Sequence, residues 1–316
     1  MKRSIFVVLG AVLCFFIGSS GFAQEIQRFN PDTIKTIQLD SVVNIRAKRL
    51  SVETFIQAVT TDTSFYKAFR LMKKYGFTAE NRIFTYDKKN KIEGKLYRKI
   101  RHTTHPVKME YLVKEDAGKL FKKNGKYELY TLEMFDYIFM NAYKSEYSDG
   151  SFGAGKEGGN AGYKDKLKTL IFSPGKPVKG LPFIGSKTEI FSANMRQYYD
   201  YSFYSGMYLD SIPVYIFKVV VKPDLSSWTK DGLMIKQLVT TFDKRNLEIL
   251  GRSVDMKYSN MLFDFDVQMN IEMSNFDDVK LPTKISYQGN WNVPLKKEER
   301  ASFLIVHKDY TLGKEK

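Results

Sequence analysis

The chain has 316 residues, 43% of them hydrophobic and 15% aromatic, which is enough apolar material for a large core and too much for a disordered chain. Lysine and arginine number 50 against 35 acidic residues, a formal net charge of +15, and cysteine occurs once, at Cys14. A single cysteine near the start excludes a disulfide framework and Cys-ligated metal from everything downstream.

Residues 1–23 have the three parts of a cleavable secretory signal. Lys2 and Arg3 supply the positive end, and Ile5 to Ile17 form a short apolar run. Gly21 and Ala23 are the small residues before a cut at Gln24. A membrane anchor is the competing reading, but a bilayer core needs roughly 20 apolar residues, more than this run offers. Cys14 is preceded by Leu13 and followed by Phe15 and Phe16, so a lipoprotein signal is not expected. No Asn-x-Ser/Thr sequon occurs, which favours a bacterial envelope, and hence the periplasm, over a eukaryotic secretory route. A basic surface there meets anionic lipid head groups or glycan more readily than nucleic acid, so no nucleic-acid partner is expected; the charge reads either as serving solubility alone or as allowing peripheral membrane contact.

Residues 24–50 read as a lead-in with one strand, Leu39 to Arg46. Ser51 fits a helix N-cap, with Phe55, Ile56 and Val59 following at helical spacing. Asp62 or Ser64 can cap a second helix whose stripe is Phe65, Ala68, Phe69 and Met72 and which Gly76 stops. Short strands follow at Phe77–Tyr86, Ile92–Arg101 and Val107–Val113. Lys119 to Tyr130 predicts a hairpin closed by Asn124-Gly125, and Thr131 caps a helix carrying Met134, Ile138 and Phe139 on one face. Residues 145–166 are a Gly-rich polar insertion.

From Tyr198 onward the chain reads almost entirely as strands: Tyr198–Tyr204, Val214–Val221, Ile235–Phe242, Glu248–Tyr258, Phe263–Met273, Lys284–Gln288 and Phe303–His307. The alternation is cleanest where Phe263, Phe265, Val267, Met269, Ile271 and Met273 interleave with polar residues, the mark of an antiparallel strand apolar on one face. About ten antiparallel strands must curl, and the few helices must cover the concave apolar face or leave room for a ligand there.

The residues that could carry catalysis have stronger bland readings. Gly150-Ser-Phe-Gly-Ala-Gly-Lys156 fits a phosphate loop up to Glu157, which stands where a hydroxyl is needed; no strand precedes it, and it reads as a flexible loop. His102 and His105 flank two threonines before Pro106, with only His307 as a further histidine, and read as a solvated turn rather than a metal site. Asp264, Asp266 and Glu272 lie on the polar side of their strand, and Asp277-Asp278 reads as a turn. No nucleophile elbow appears. No catalytic residue, metal ligand or cofactor is assigned, and the protein is expected not to be an enzyme. Trp291 and Tyr287 read as core or rim aromatics. The basic clusters Lys88–Lys91, Lys95–Arg101 and Lys119–Lys126 fall at strand ends and turns; a head-group patch requires them to converge on one rim.

The succession Tyr199-Asp-Tyr-Ser-Phe203, Ile212-Pro-Val-Tyr-Ile-Phe-Lys-Val219, Thr241-Phe-Asp-Lys-Arg-Asn-Leu-Glu-Ile-Leu250 and Leu281-Pro-Thr-Lys-Ile285 resembles the LolA-like superfamily of outer-membrane lipoprotein carriers and sorting proteins. The lead-in Leu39 to Arg49 resembles uncharacterised envelope proteins of Bacteroidetes type. The resemblance spans residues 39–310. It implies an α+β, β-dominated fold, with residues 51–316 forming one unclosed antiparallel half-barrel whose helices lie over an apolar cavity. In the carrier that cavity takes lipoprotein acyl chains. Phe263, Phe265, Val267, Met269, Ile271, Met273, Phe55 and Phe69 are the expected lining residues. The expected activity is binding of a lipid, acyl chain or other apolar ligand. The competing expectations are that the helices fill the cavity, and that the protein is an interaction module for other envelope proteins.

Overall fold

The computed structural model describes residues 50–140, 172, 174, 175, 185–260, 263–292 and 298–312. The signal segment, the lead-in and the Gly-rich insertion, with its phosphate-loop look-alike, lie outside these residues.

Two helices open the described chain, α1 (Val52–Thr61) and α2 (Ser64–Leu71). Ser51 caps α1 as read, in a reciprocal box with Thr54, satisfying backbone donors that the first turn leaves orphaned. Asp62 accepts from Ser64 N and Phe65 N, both at 3.1 Å, and starts α2. A 3₁₀ turn at Met72–Lys74 then leads directly into β1 (Tyr75–Tyr86), so Gly76 lies inside a strand and is not the helix stop.

β2 (Ile92–Thr104) and β3 (Val107–Gly118) complete a first meander. The expected hairpin at Asn124-Gly125 is reduced to one bridge, Phe121 with Tyr127. Helix α3 (Tyr130–Phe135) follows and runs into a π turn at Asp136–Met140. Thr131 does not cap it; the carboxylate of Glu299 does, accepting from Tyr130 N and Thr131 N at 2.8 Å each. The second meander is β4 (Tyr199–Tyr208), β5 (Ile212–Val221), β6 (Ile235–Asp243), β7 (Ile249–Asn260), β8 (Phe263–Phe276), β9 (Val279–Asn292) and β10 (Glu299–Leu312). Several strands run to 12–14 residues, longer than their apolar cores suggest.

All ten strands form one antiparallel sheet in the order β3-β2-β1-β10-β9-β8-β7-β6-β5-β4. The pairing of β1 with β10 joins the two meanders, and β3 and β4 remain edges, so the sheet is an unclosed half-barrel. A sheet this wide relieves its twist by curling, and α1, α2 and α3 lie on the covered face. α1 sits against β4, α2 against β7 and β9, and α3 against β10. β3, at one edge of the sheet, is largely exposed on both faces.

A smaller cluster of Val214, Ile216, Val239 and Leu250 sits on the opposite face, covered by Tyr208. The Tyr208 hydroxyl plugs the register break between Glu272 and Met273: it accepts from Met273 N at 3.1 Å and lies 3.1 Å from Leu250 O and 2.9 Å from Met273 O.

The covered face as candidate binding surface

The pleat sends alternate residues of each strand to the covered face. On β8 these include Phe265, Val267, Met269, Ile271 and Met273, all buried in the main core; Phe263 is the first residue of the strand, and its side chain is not among those described. Neighbouring strands extend the surface through Val254, Met256 and Tyr258 of β7, Ile285 of β9, and Phe303 and Ile305 of β10.

Aromatic side chains from the helices meet this face. Phe55 of α1 is fully buried among Phe203, Phe217, Phe242 and Tyr215, with ring centroids 4.7, 5.5, 5.5 and 5.7 Å away. Phe69 of α2 packs on Phe172 at 5.0 Å and on Phe65 at 6.1 Å. Phe135 of α3 lies 4.0 Å from Phe303. The lining residues named from the sequence, Phe263 apart, therefore belong to one buried apolar cluster, with Phe55 and Phe69 as its helical side.

Toward one end, Tyr287 stacks on Phe303 at 4.6 Å and accepts from Trp291 Nε1 at 2.7 Å. Its hydroxyl crosses directly over Gly289, where a Cβ would sit 2.0 Å from that oxygen; only glycine leaves room. Burial pushes the Tyr287 phenol far up, so it stays protonated.

Sequence reading missed the polar residues on the same face. One row crosses nine strands in register: Phe203, Phe217, Thr240, Arg252, Ile271, Ile285, Ile305, Asn81 and Arg98. Thr240, Arg252, Asn81 and Arg98 are all buried. Arg98 is neutralised: its Nη2 donates to Asp136 at 2.9 Å and its Nη1 to the Tyr127 hydroxyl at 3.3 Å. Arg252 donates Nη1 to Phe172 O at 2.9 Å, and its guanidinium lies 4.5 Å from the Phe65 ring centroid. A signal for both was present. Arg98 stands between Leu96 and Ile100, and Arg252 stands two residues before Val254, each in the apolar phase of its strand.

The remaining candidates fall elsewhere. Asp264 and Asp266 take the phase opposite the core, and Asp266 pairs with Lys257 at 3.2 Å. His105 is exposed before the cis bond to Pro106. His102 departs from the solvated-turn reading: it is buried, donates from Nδ1 to Tyr75 O at 2.9 Å and stacks on Phe77 at 4.7 Å, because β2 runs on through Thr104. Both His102 and His307 are held below the ordinary imidazole range by burial, His307 down to about 3. Phe77 and His102, with Arg101, Asp309 and Leu312, line an open cleft of about 540 Å³ at the sheet end where β1 starts. Among the described residues no three His, Cys, Asp or Glu gather as metal ligands.

The basic clusters divide. The Lys88–Lys91 turn and the segment from Lys119 both lie at the end of the sheet where β1 stops and β2 starts, tied by Lys119 N to Glu93 O at 3.0 Å. The third cluster runs along β2 and sends Arg98 inward, with Lys95 and Arg101 exposed on the other side.

No protein-family model matches the chain, and no curated protein matches it. Among solved structures it is similar to a DUF1329 family protein from Desulfovibrio piger, at 10% identity and a TM-score of 0.22, over 79% of this chain and 94% of that one. It is also similar to a putative outer membrane lipoprotein-sorting protein domain from Vibrio parahaemolyticus, at 8% identity and a TM-score of 0.23, over 78% of this chain and 92% of that one.

Proposed function

We propose that this is an exported, non-enzymatic carrier that holds an acyl chain or similar apolar ligand between the half-barrel and its helices. The observation that supports this reading is how the apolar face is covered. Strands of the sheet are locked to one another by backbone ladders, whereas α1 and α2 meet the sheet through side chains such as Phe55, Phe65 and Phe69. A cover seated by aromatic contacts can lift without breaking the sheet, and the surface beneath it would suit an aliphatic chain. The signal read in residues 1–23 supports export, and the proposed site of action is the periplasm.

The test is extraction of the natively purified protein with organic solvent, followed by mass spectrometry. An acyl species near one per chain supports the carrier. A clean extract, with no uptake of added lipid, refutes it.

The free edge at β3 favours a second reading. Tyr111 and Leu112 of that strand are exposed, and a partner strand can add to such an edge to build an envelope complex. Co-purification of a stoichiometric envelope protein with a lipid-free chain would select this reading.

A further inference from the structure

Arg252 is a buried cation with two guanidinium donors that have no hydrogen-bond partner among the described residues. It is 4% exposed, on the covered face in the first third of β7. Its Nη1 is used on Phe172 O, while Nε and Nη2 have no hydrogen-bond partner among the described residues. Those two donors are the parallel pair along one side of the guanidinium, the fork that receives a carboxylate in two matched hydrogen bonds. Directly opposite on β6, Thr240 is fully buried and its hydroxyl likewise has no partner among the described residues.

The titratable groups around Arg252 do not supply the missing anion. Asp62, at the α1–α2 junction, is the carboxylate whose charge reaches Arg252, but its oxygens accept from Ser64 N, Ser64 Oγ and Phe65 N. From α2 the guanidinium meets the apolar ring of Phe65. Burial brings the Arg252 pKa down to about 10, so it is still charged at neutral pH. Arg98, five strand spacings and about 24 Å away across the sheet, gives the contrast, because it has Asp136. Between the two arginines the row is Ile271, Ile285, Ile305 and then Asn81, so the apolar stretch starts beside Arg252.

We propose that the Nε–Nη2 fork of Arg252, with the Thr240 hydroxyl beside it, receives the carboxylate of a long-chain fatty acid whose tail lies along the apolar face. This rests on the carrier reading above and narrows it to a ligand with an anionic head. An unpaired buried charge is costly, and a carboxylate arriving with an apolar tail removes that cost while burying the tail.

The experiment is calorimetric titration of the delipidated protein with palmitate, hexadecanol and hexadecyl phosphate, repeated on Arg252→Gln and Thr240→Val. Charge-assisted hydrogen bonds predict that the parent protein prefers palmitate over hexadecanol by about tenfold or more. Arg252→Gln should erase that preference and leave hexadecanol binding within about threefold of the parent. Thr240→Val should reduce the preference in part. Equal affinity of the parent for acid and alcohol overturns the proposal, as does an Arg252→Gln variant that weakens both ligands alike, which is the mark of a purely structural arginine. A phosphate ester bound well above palmitate overturns the choice of carboxylate. If the parent binds none of the three, the carrier reading fails with it. Should Arg252→Gln not fold, the parent's acid-to-alcohol ratio and Thr240→Val still decide the matter.

Discussion

Replacing Phe55 by alanine tests whether α1 is seated as described. The ring is fully buried and touches Phe203, Phe217, Phe242 and Tyr215 across three strands. Truncation removes an aromatic ring from water-free packing and leaves a void that four other rings cannot collapse to fill. Core Phe→Ala changes of this kind cost about 3–5 kcal/mol, so we expect about 4 kcal/mol here. With a urea slope of about 3 kcal/mol/M for a domain of this size, the unfolding midpoint drops by about 1.3 M. Gln57→Ala, an exposed change on the same helix, serves as the control and should leave the midpoint in place. Amide exchange in α1 should also accelerate, by about a thousandfold, as the helix lifts more often. A midpoint shift below about 0.3 M would mean that Phe55 is not wedged among those rings, and the helical cover would lose its main anchor.

Three further outcomes follow from the same contacts. Tyr208→Phe leaves Met273 N–H and the neighbouring carbonyls without their hydroxyl partner, and should lower stability by about 1–3 kcal/mol in chemical denaturation. Asp136→Asn strands the buried Arg98 cation and should cost about 3 kcal/mol, while the double change Arg98→Met with Asp136→Leu should recover most of it. Burial holds His307 at about 3, below the ordinary imidazole value near 6.5, so the unfolded chain takes up a proton that the folded chain refuses. Its contribution is therefore full above pH 6.5 and is lost as the pH falls from there toward 3, by about 2 kcal/mol between pH 6.5 and 5; His307→Gln should flatten that part of the pH–stability curve.

The sheet was legible because its signal is local. Phe265 to Met273 alternate with polar residues, and that alternation alone fixes which face is buried. The caps at Ser51 and Asp62 were legible for the same reason, since the side chain that caps lies within three residues of the donors it satisfies. The cap of α3 was not, because Glu299 lies 168 residues beyond Thr131 and reaches it only after β10 pairs with β1. Strand ends such as Thr104 and Asn292 also escaped, because ladder hydrogen bonds carry polar residues on past the apolar core of a strand. The candidate site was half legible. Its apolar lining follows from periodicity, but Arg98 and Arg252 read as ordinary strand charges until the register places them on the covered face beside Asn81 and Thr240.

Whether the covered face accepts a guest is measured most directly by the mass of the intact protein under native conditions, before and after delipidation and reloading with palmitate. Occupancy predicts one added palmitate per chain, released when the chain unfolds. A mass that stays at the bare polypeptide at palmitate concentrations well above micromolar would contradict it and leave the face as ordinary core.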